Sequence, residues 1–266
     1  MRVLDIDFSL RGYFKLLEKL MTDYFSSALL RTDAHTRLFC LPHAGAGASV
    51  YRTWANELAP SLQLCAVQLP GRESRIGERP IDHAPELVRE LVSGLSPFLD
   101  RPYVVFGHSM GALLAFELAC ALRRSGLPQP AHLFVSAQRA PHLALPPVAI
   151  HELNPREFRE ELRRLGGTPE AVLADEELMR LFEPVLRADF KLCETYRYES
   201  VEPLDIPISV FGGESDTRVP DTALKPWRMH TRATMSLRMF PGGHMFLQSA
   251  QANLVAAILS DLLIEP

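Results

Sequence analysis

Ser109 lies between two glycines in "FGHSMGAL" (106–113), after a short apolar run and before a helical pattern. The G-x-S-x-G pattern says little by itself, because small residues gather in turns for steric reasons. Its setting says more. A strand ending at Gly107 and a helix starting near Met110 force a sharp turn that lifts the hydroxyl clear of a sheet, and glycines at 107 and 111 remove the side chains that would collide there. The helix aims its first N–H groups at the serine and favours negative charge beside it. An unaided serine hydroxyl is a poor nucleophile, so it needs a base, and the base needs an orienter.

Nine histidines compete for the base. His244, in "FPGGHMF", follows an apolar run and sits in a glycine loop from which an imidazole can reach inward. "VFGGESDTRVP" supplies Asp216 beyond another apolar run, with Glu214 and Asp221 as competitors less well placed relative to the strand end. The order Ser109, Asp216, His244 is that of α/β-hydrolases and differs from the chymotrypsin and subtilisin orders. An attacking serine also needs donors for the tetrahedral oxyanion. The N–H of Met110 is one. The glycine loop "LPHAGAGAS" (41–49) offers the second, with Ala44 as candidate. His43 and His108 are read as shaping these two loops.

The elements that must position these groups are short apolar runs at 37–42, 62–69, 103–107, 132–137, 207–213 and 236–242. Helical patterns near 50–59, 83–99, 110–125 and 247–263 separate them. Runs apolar on both faces, alternating with helices, predict a mostly parallel sheet covered on both sides. Residues 151–200 break the alternation and read as helical throughout, with Asn154 as cap, Pro155 at the first position and Gly166–Gly167 as stop. This insert carries 12 acidic and 8 basic side chains, which accounts for the chain's net charge of −4. Fifty residues between the fourth and fifth strands must lie over an edge or over the strand ends, where open α/β sheets bind ligands. They are expected to form a lid.

Bulk properties narrow the class. With 266 residues, 47% hydrophobic and 23% charged, the chain can bury a large core. Its net charge of −4 excludes a strongly basic nucleic-acid binder. No run approaches a membrane span, and residues 1–20 lack the apolar stretch of a secretory signal. Cys40, Cys65, Cys120 and Cys193 form no C-x-x-C pair or zinc-type cluster; they read as buried thiols, which fits a cytoplasmic protein. In the segment 1–35, Tyr13, Leu16, Leu17, Leu20 and Tyr24 share one helical face, so it reads as a partly helical extension preceding a domain over 36–266.

"RLFCLPHAGAGASVYRTWA", "VQLPGRESRIGERP", "VFGHSMGALLAFELA", the stretch from "LGGTPEAVLADEELMRLFEPVL" to "KLCETYRY", and "FGGESDTRVP" with "FPGGHMF" resemble the type II thioesterases of polyketide and nonribosomal peptide assembly lines. The resemblance runs from about residue 36 to 262. It implies an α/β-hydrolase fold with a helical lid. It also implies hydrolysis of stalled or mis-primed acyl groups from the phosphopantetheine thiol of carrier-protein domains, with Ser109 as nucleophile, His244 as base, Asp216 as orienter, and Ala44 and Met110 as oxyanion donors. No metal or other cofactor is expected, since the phosphopantetheine belongs to the substrate. A carboxylesterase, a medium-chain acyl-carrier-protein thioesterase and a non-catalytic carrier-binding module are the alternatives, the last disfavoured by the complete triad.

Two further expectations concern the partner and the acyl chain. Phe182 and Phe190 of the lid are expected to line the acyl site. Carrier proteins are typically acidic near the pantetheine, so Arg72, Arg75 and Arg79, with Arg52 nearby, are the candidate docking surface. The competing reading pairs these arginines locally with Glu73 and Glu78.

Overall fold

The computed structural model describes residues 25, 34–58, 61–144 and 149–263. Each of the six apolar runs is a strand: β1 (Thr36–Leu41), β2 (Leu62–Ala66), β3 (Tyr103–His108), β4 (Leu133–Ser136), β5 (Ile208–Gly213) and β6 (Met235–Phe240). They form one parallel sheet in the order β2-β1-β3-β4-β5-β6. The side-chain period of two divides each strand between two cores. Phe39, Leu41, Val105, Val135 and Val210 enter one, while Leu38, Cys40, Phe106, Phe134 and Phe211 enter the other. Both faces are therefore apolar, and both must be covered.

On the first face pack α1 (Ala84–Leu95) and α2 (Met110–Arg124), through residues such as Leu87, Leu91, Leu113 and Phe116. On the second lie a 3-10 segment (Ala48–Asn56), which buries Tyr51 and Trp54, and the C-terminal helices, described below. The helical pattern near 50–59 thus becomes the tighter 3-10 form. Phe25 belongs to the segment expected as an extension. Yet it is buried, makes an antiparallel bridge with Val67 and stacks on Phe39 at 5.7 Å, so the main core includes it. The helical face proposed for residues 13–24 lies outside the described residues.

The insert forms α3 (Pro155–Leu165), α4 (Glu170–Leu173) and α5 (Glu176–Thr195). Asn154 caps α3 by accepting from the amides of Arg156 and Glu157, and Gly166 ends it in the left-handed region at φ 70°. These helices hold a small core of their own, built on Phe158, Leu162, Met179 and Leu186. Beyond β5 come α6 (Asp221–Leu224), α7 (Phe246–Ser249) and α8 (Gln251–Leu263).

The strand order fixes where a ligand can sit. From β1 the chain moves outward to the edge strand β2, then returns to the other side of β1 as β3. The loops leaving the carboxyl ends of β1 and β3 therefore diverge and open a crevice. The glycine loop after β1 and the turn after β3 are the ones that carry Ala44 and Ser109.

Candidate active site

Between β3 and α2 the backbone turns on one residue. Ser109 has φ 53° and ψ −118°, a conformation that costs a non-glycine residue roughly 1–3 kcal/mol and persists only where its surroundings enforce it. The surroundings here are two glycines and a hydrogen bond. A Cβ on Gly107 would lie 2.0 Å from the Gly111 carbonyl oxygen, and one on Gly111 would lie 2.1 Å from that of Leu41. The Ser109 amide donates to the Ser136 carbonyl on β4 at 2.8 Å.

The hydroxyl so presented meets an imidazole. Ser109 Oγ lies 3.0 Å from His244 Nε2, and His244 Nδ1 lies 2.8 Å from Asp216 Oδ2. A carboxylate only accepts, so Nδ1 carries the proton and Nε2 is left to accept from the serine hydroxyl. The other Asp216 oxygen accepts from the amides of Arg218 (2.9 Å) and Val219 (3.1 Å). Burial pushes the Asp216 carboxyl up, but His244 and these two amides together outweigh it and hold the group below its ordinary range. Asp221 is instead exposed and ion-paired with Lys225 at 2.6 Å, and Glu214 is exposed.

His244 is itself positioned by another histidine. His108 is fully buried, with Nε2 2.9 Å from the His244 carbonyl and Nδ1 2.9 Å from Ser136 Oγ. Burial above all, then the nearby His244 and His43, drive its pKa well below the ordinary value, so the ring is neutral. It donates from Nε2 to the carbonyl and accepts the Ser136 hydroxyl at Nδ1. His43, also buried, lies 3.1 Å through Nδ1 from the Ala44 carbonyl. Both histidines shape loops.

Met110 is the first residue of α2, so its N–H has no acceptor within the helix. The loop carrying Ala44 is held from a residue that sequence reasoning missed. Asp189, buried on α5, accepts the Gly45 amide at 2.7 Å and binds Arg72 through two hydrogen bonds of 2.6 and 2.9 Å. Arg72 also donates to the Ala46 carbonyl at 3.2 Å. A signal existed: spacing from Met179 and Leu186 puts Asp189 on the apolar face of α5, where a lone acid must find a partner.

These bonds correct the docking surface. Arg72 is 4% exposed and serves the lid contact. Arg75 is also buried; it pairs with Glu78 and Glu90 and donates to the Gln68 carbonyl at 3.2 Å. Arg79 and Arg52 are exposed. Glu73 turns away from the arginines and accepts from Ser49. Of the two lid phenylalanines, Phe190 lines two hollows that meet at Ser109 and His244, whereas Phe182 packs into the lid's own core and lines neither. Leu162, Leu165 and Leu186 share the smaller hollow with Phe190.

A parallel sheet with a strained serine turn, a hydrogen-bonded Ser–His–Asp line and a helical lid defines an α/β-hydrolase. The thioesterase domain model matches residues 36–263, and the chain belongs to that family of hydrolases acting on thioesters. It is 39% identical over 239 residues to the gramicidin S biosynthesis protein GrsT of Aneurinibacillus migulanus, covering 90% of this chain and 93% of that one. The structure of RedJ, a thioesterase from the prodiginine pathway of Streptomyces coelicolor, superimposes with a TM-score of 0.80 at 39% identity, covering 85% of this chain and 90% of RedJ. The type II thioesterase BorB, from the borrelidin biosynthetic cluster, does so at 0.80 and 38%, covering 87% and 94%. Among the described residues no helix is long and apolar enough to cross a membrane, and no three His, Cys, Asp or Glu side chains are grouped to hold a metal ion.

Proposed function

We propose that this thioesterase clears acyl groups from the phosphopantetheine thiol of carrier proteins in a polyketide or nonribosomal peptide assembly line. Ser109 Oγ attacks the thioester carbonyl as its proton passes to His244 Nε2, and Asp216 steadies the imidazolium. The amides of Met110 and Ala44 receive the oxyanion. Collapse breaks the C–S bond, and the thiolate leaves with the proton from His244. Water, deprotonated by the same imidazole, then attacks the acyl-serine and releases the carboxylic acid and free Ser109. The pantetheine enters as substrate, and protein groups carry every proton. The hydrogen-bonded Ser109–His244–Asp216 line beneath a lid is the observation that carries this reading. Acyl-loaded carrier protein incubated with the enzyme should lose the acyl mass, and Ser109→Ala should leave it in place. Faster turnover of a free p-nitrophenyl ester than of the loaded carrier protein would instead favour a carboxylesterase.

A further inference from the structure

The peptide that follows the oxyanion candidate Ala44 is held at both ends. Its carbonyl lies 3.1 Å from His43 Nδ1, and its amide, that of Gly45, donates to Asp189 on α5 at 2.7 Å. Gly45 stands at φ 77°, in the left-handed region. It also lies against the lid helix: a Cβ there would be 2.4 Å from Leu186 Cδ2 and 3.4 Å from Leu186 Cγ. Leu186 and Asp189 are three residues apart on α5, so both project from one face of that helix. Asp189 holds the Gly45 amide, and Leu186 covers the side on which a Cβ would stand.

Within the turn itself, the Ala46 amide donates to the His43 carbonyl at 3.1 Å. The Ala46 carbonyl accepts from Arg72, which is bound in turn to Asp189. Glycine loses more conformational freedom on ordering than any other residue, so a turn of this kind needs support from outside. Leu186 is a firm support. It is buried in the lid's own core with Phe158, Leu162 and Met179, and a packed core moves as a unit. The triad is held differently. The Ser136 carbonyl accepts the Ser109 amide, His108 meets the His244 carbonyl, and the amides of Arg218 and Val219 bind Asp216. None of these holds comes from the lid.

We propose, resting on the oxyanion assignment made above, that the lid is part of the frame of the oxyanion hole and that Leu186 is a positioning residue for Ala44. Leu186 and Asp189 together seat the loop so that the Ala44 N–H faces the carbonyl oxygen of the substrate. With the lid displaced, the Ser109–His244–Asp216 line persists but one oxyanion donor is lost. Hydrolysis is thereby confined to the state in which α5 lies on the loop.

Leu186 also lines the smaller hollow beside Ser109, so the test must separate a loop support from an acyl contact. Acetyl, butyryl and hexanoyl thioesters of N-acetylcysteamine serve as substrates. Butylboronic acid serves as inhibitor, because its tetrahedral adduct on Ser109 places an oxygen in the hole. Leu186→Ala should lower kcat by about tenfold, part of the 10²–10³ that a lost donor costs, and by the same factor for all three acyl groups. KM should stay within about threefold, since only transition-state contacts are weakened. The boronic acid should lose affinity by the factor that kcat loses. Gly45→Ala should show the same pattern more strongly. Gly45→Ala combined with Leu186→Ala should turn over about fivefold faster than Gly45→Ala alone, because the collision is relieved and contacting residues couple. Urea denaturation checks that each variant folds. A loss that grows with acyl length and appears in KM makes Leu186 an acyl contact and overturns the proposal. So does a double variant no faster than Gly45→Ala. A boronic acid that wild type binds no more tightly than butyrate overturns the oxyanion assignment itself, and the proposal with it.

Discussion

Asp189 and Arg72 lie 117 residues apart and close on each other through two hydrogen bonds, while Asp189 also accepts the Gly45 amide next to the oxyanion candidate Ala44. The lid, the loop after β1 and the loop after β2 therefore meet at one buried carboxylate. Removing one partner of a buried pair strands the other charge, at a cost of about 3–5 kcal/mol. Asp189→Ala should lose stability on that scale by urea denaturation. The paired change Arg72→Met with Asp189→Leu should recover most of it, because similar apolar volumes replace both charges. The double variant should still lose about 10²-fold in kcat, the usual effect of a misplaced oxyanion donor. Full activity in the double variant would show that the pair holds the fold and does not position the loop.

Asp216 and Asp221 give a direct test of the orienter. Ser109→Ala and His244→Ala should each lower kcat by about 10⁴ or more, and Asp216→Asn should lower it almost as far. Asp221→Asn removes only an exposed pair with Lys225 and should leave the rate within about twofold, since such pairs contribute little. Steady-state kinetics on one small acyl thioester separates the two aspartates. A silent Asp216→Asn would move the orienter elsewhere.

The sheet was legible because its strands are apolar on both faces, a pattern that leaves one architecture open. The triad was legible for a related reason: Ser109, Asp216 and His244 each follow a strand, so the carboxyl ends of the sheet gather them. Charge was the unreliable signal. Three arginines within eight residues read as a surface, yet Arg72 finds its acid on a helix far along the chain and Arg75 finds Glu78 and Glu90. Composition cannot separate an interior arginine from an exposed one when the partner is distant in sequence. Phe25 was missed in the same way, since its ring neighbours Phe39 and Phe98 lie in other elements.

Buried histidines set the acid limit of stability. Burial lowers both His132 and His230 to about 4, against an ordinary value near 6.5. Between those limits the unfolded chain binds protons that the folded chain refuses, so stability falls as pH falls from about 6.5 to 4 and is level above. Each such histidine contributes about 1.4 kcal/mol per pH unit within that window. Urea midpoints at pH 7, 6 and 5 should show the decline, and His132→Gln should make it shallower, leaving the share of His230 and the other buried rings. Midpoints that are level across that range would contradict the assignment of these rings as neutral in the fold.

Arg75 and Arg79 are four residues apart and should behave oppositely when reversed. The Arg75 guanidinium is inside, tied to Glu78, Glu90 and the Gln68 carbonyl, so Arg75→Glu would put a buried acid against two carboxylates. Through Gln68 the damage reaches the loop after β1, because Gln68 Oε1 accepts the Ala48 amide at 3.1 Å. Arg75→Glu should therefore lower stability and depress turnover of an acyl-carrier protein and of a small acyl thioester by similar factors. Arg79 is exposed, and its reversal should leave the small thioester untouched. If it belongs to the carrier-protein surface, Arg79→Glu will raise KM for the loaded carrier protein alone, and added salt will weaken wild type more than the variant, because exposed charges act on encounter and not on chemistry. An Arg75→Glu variant that folds normally and is impaired only toward the carrier protein would restore that arginine to the docking surface.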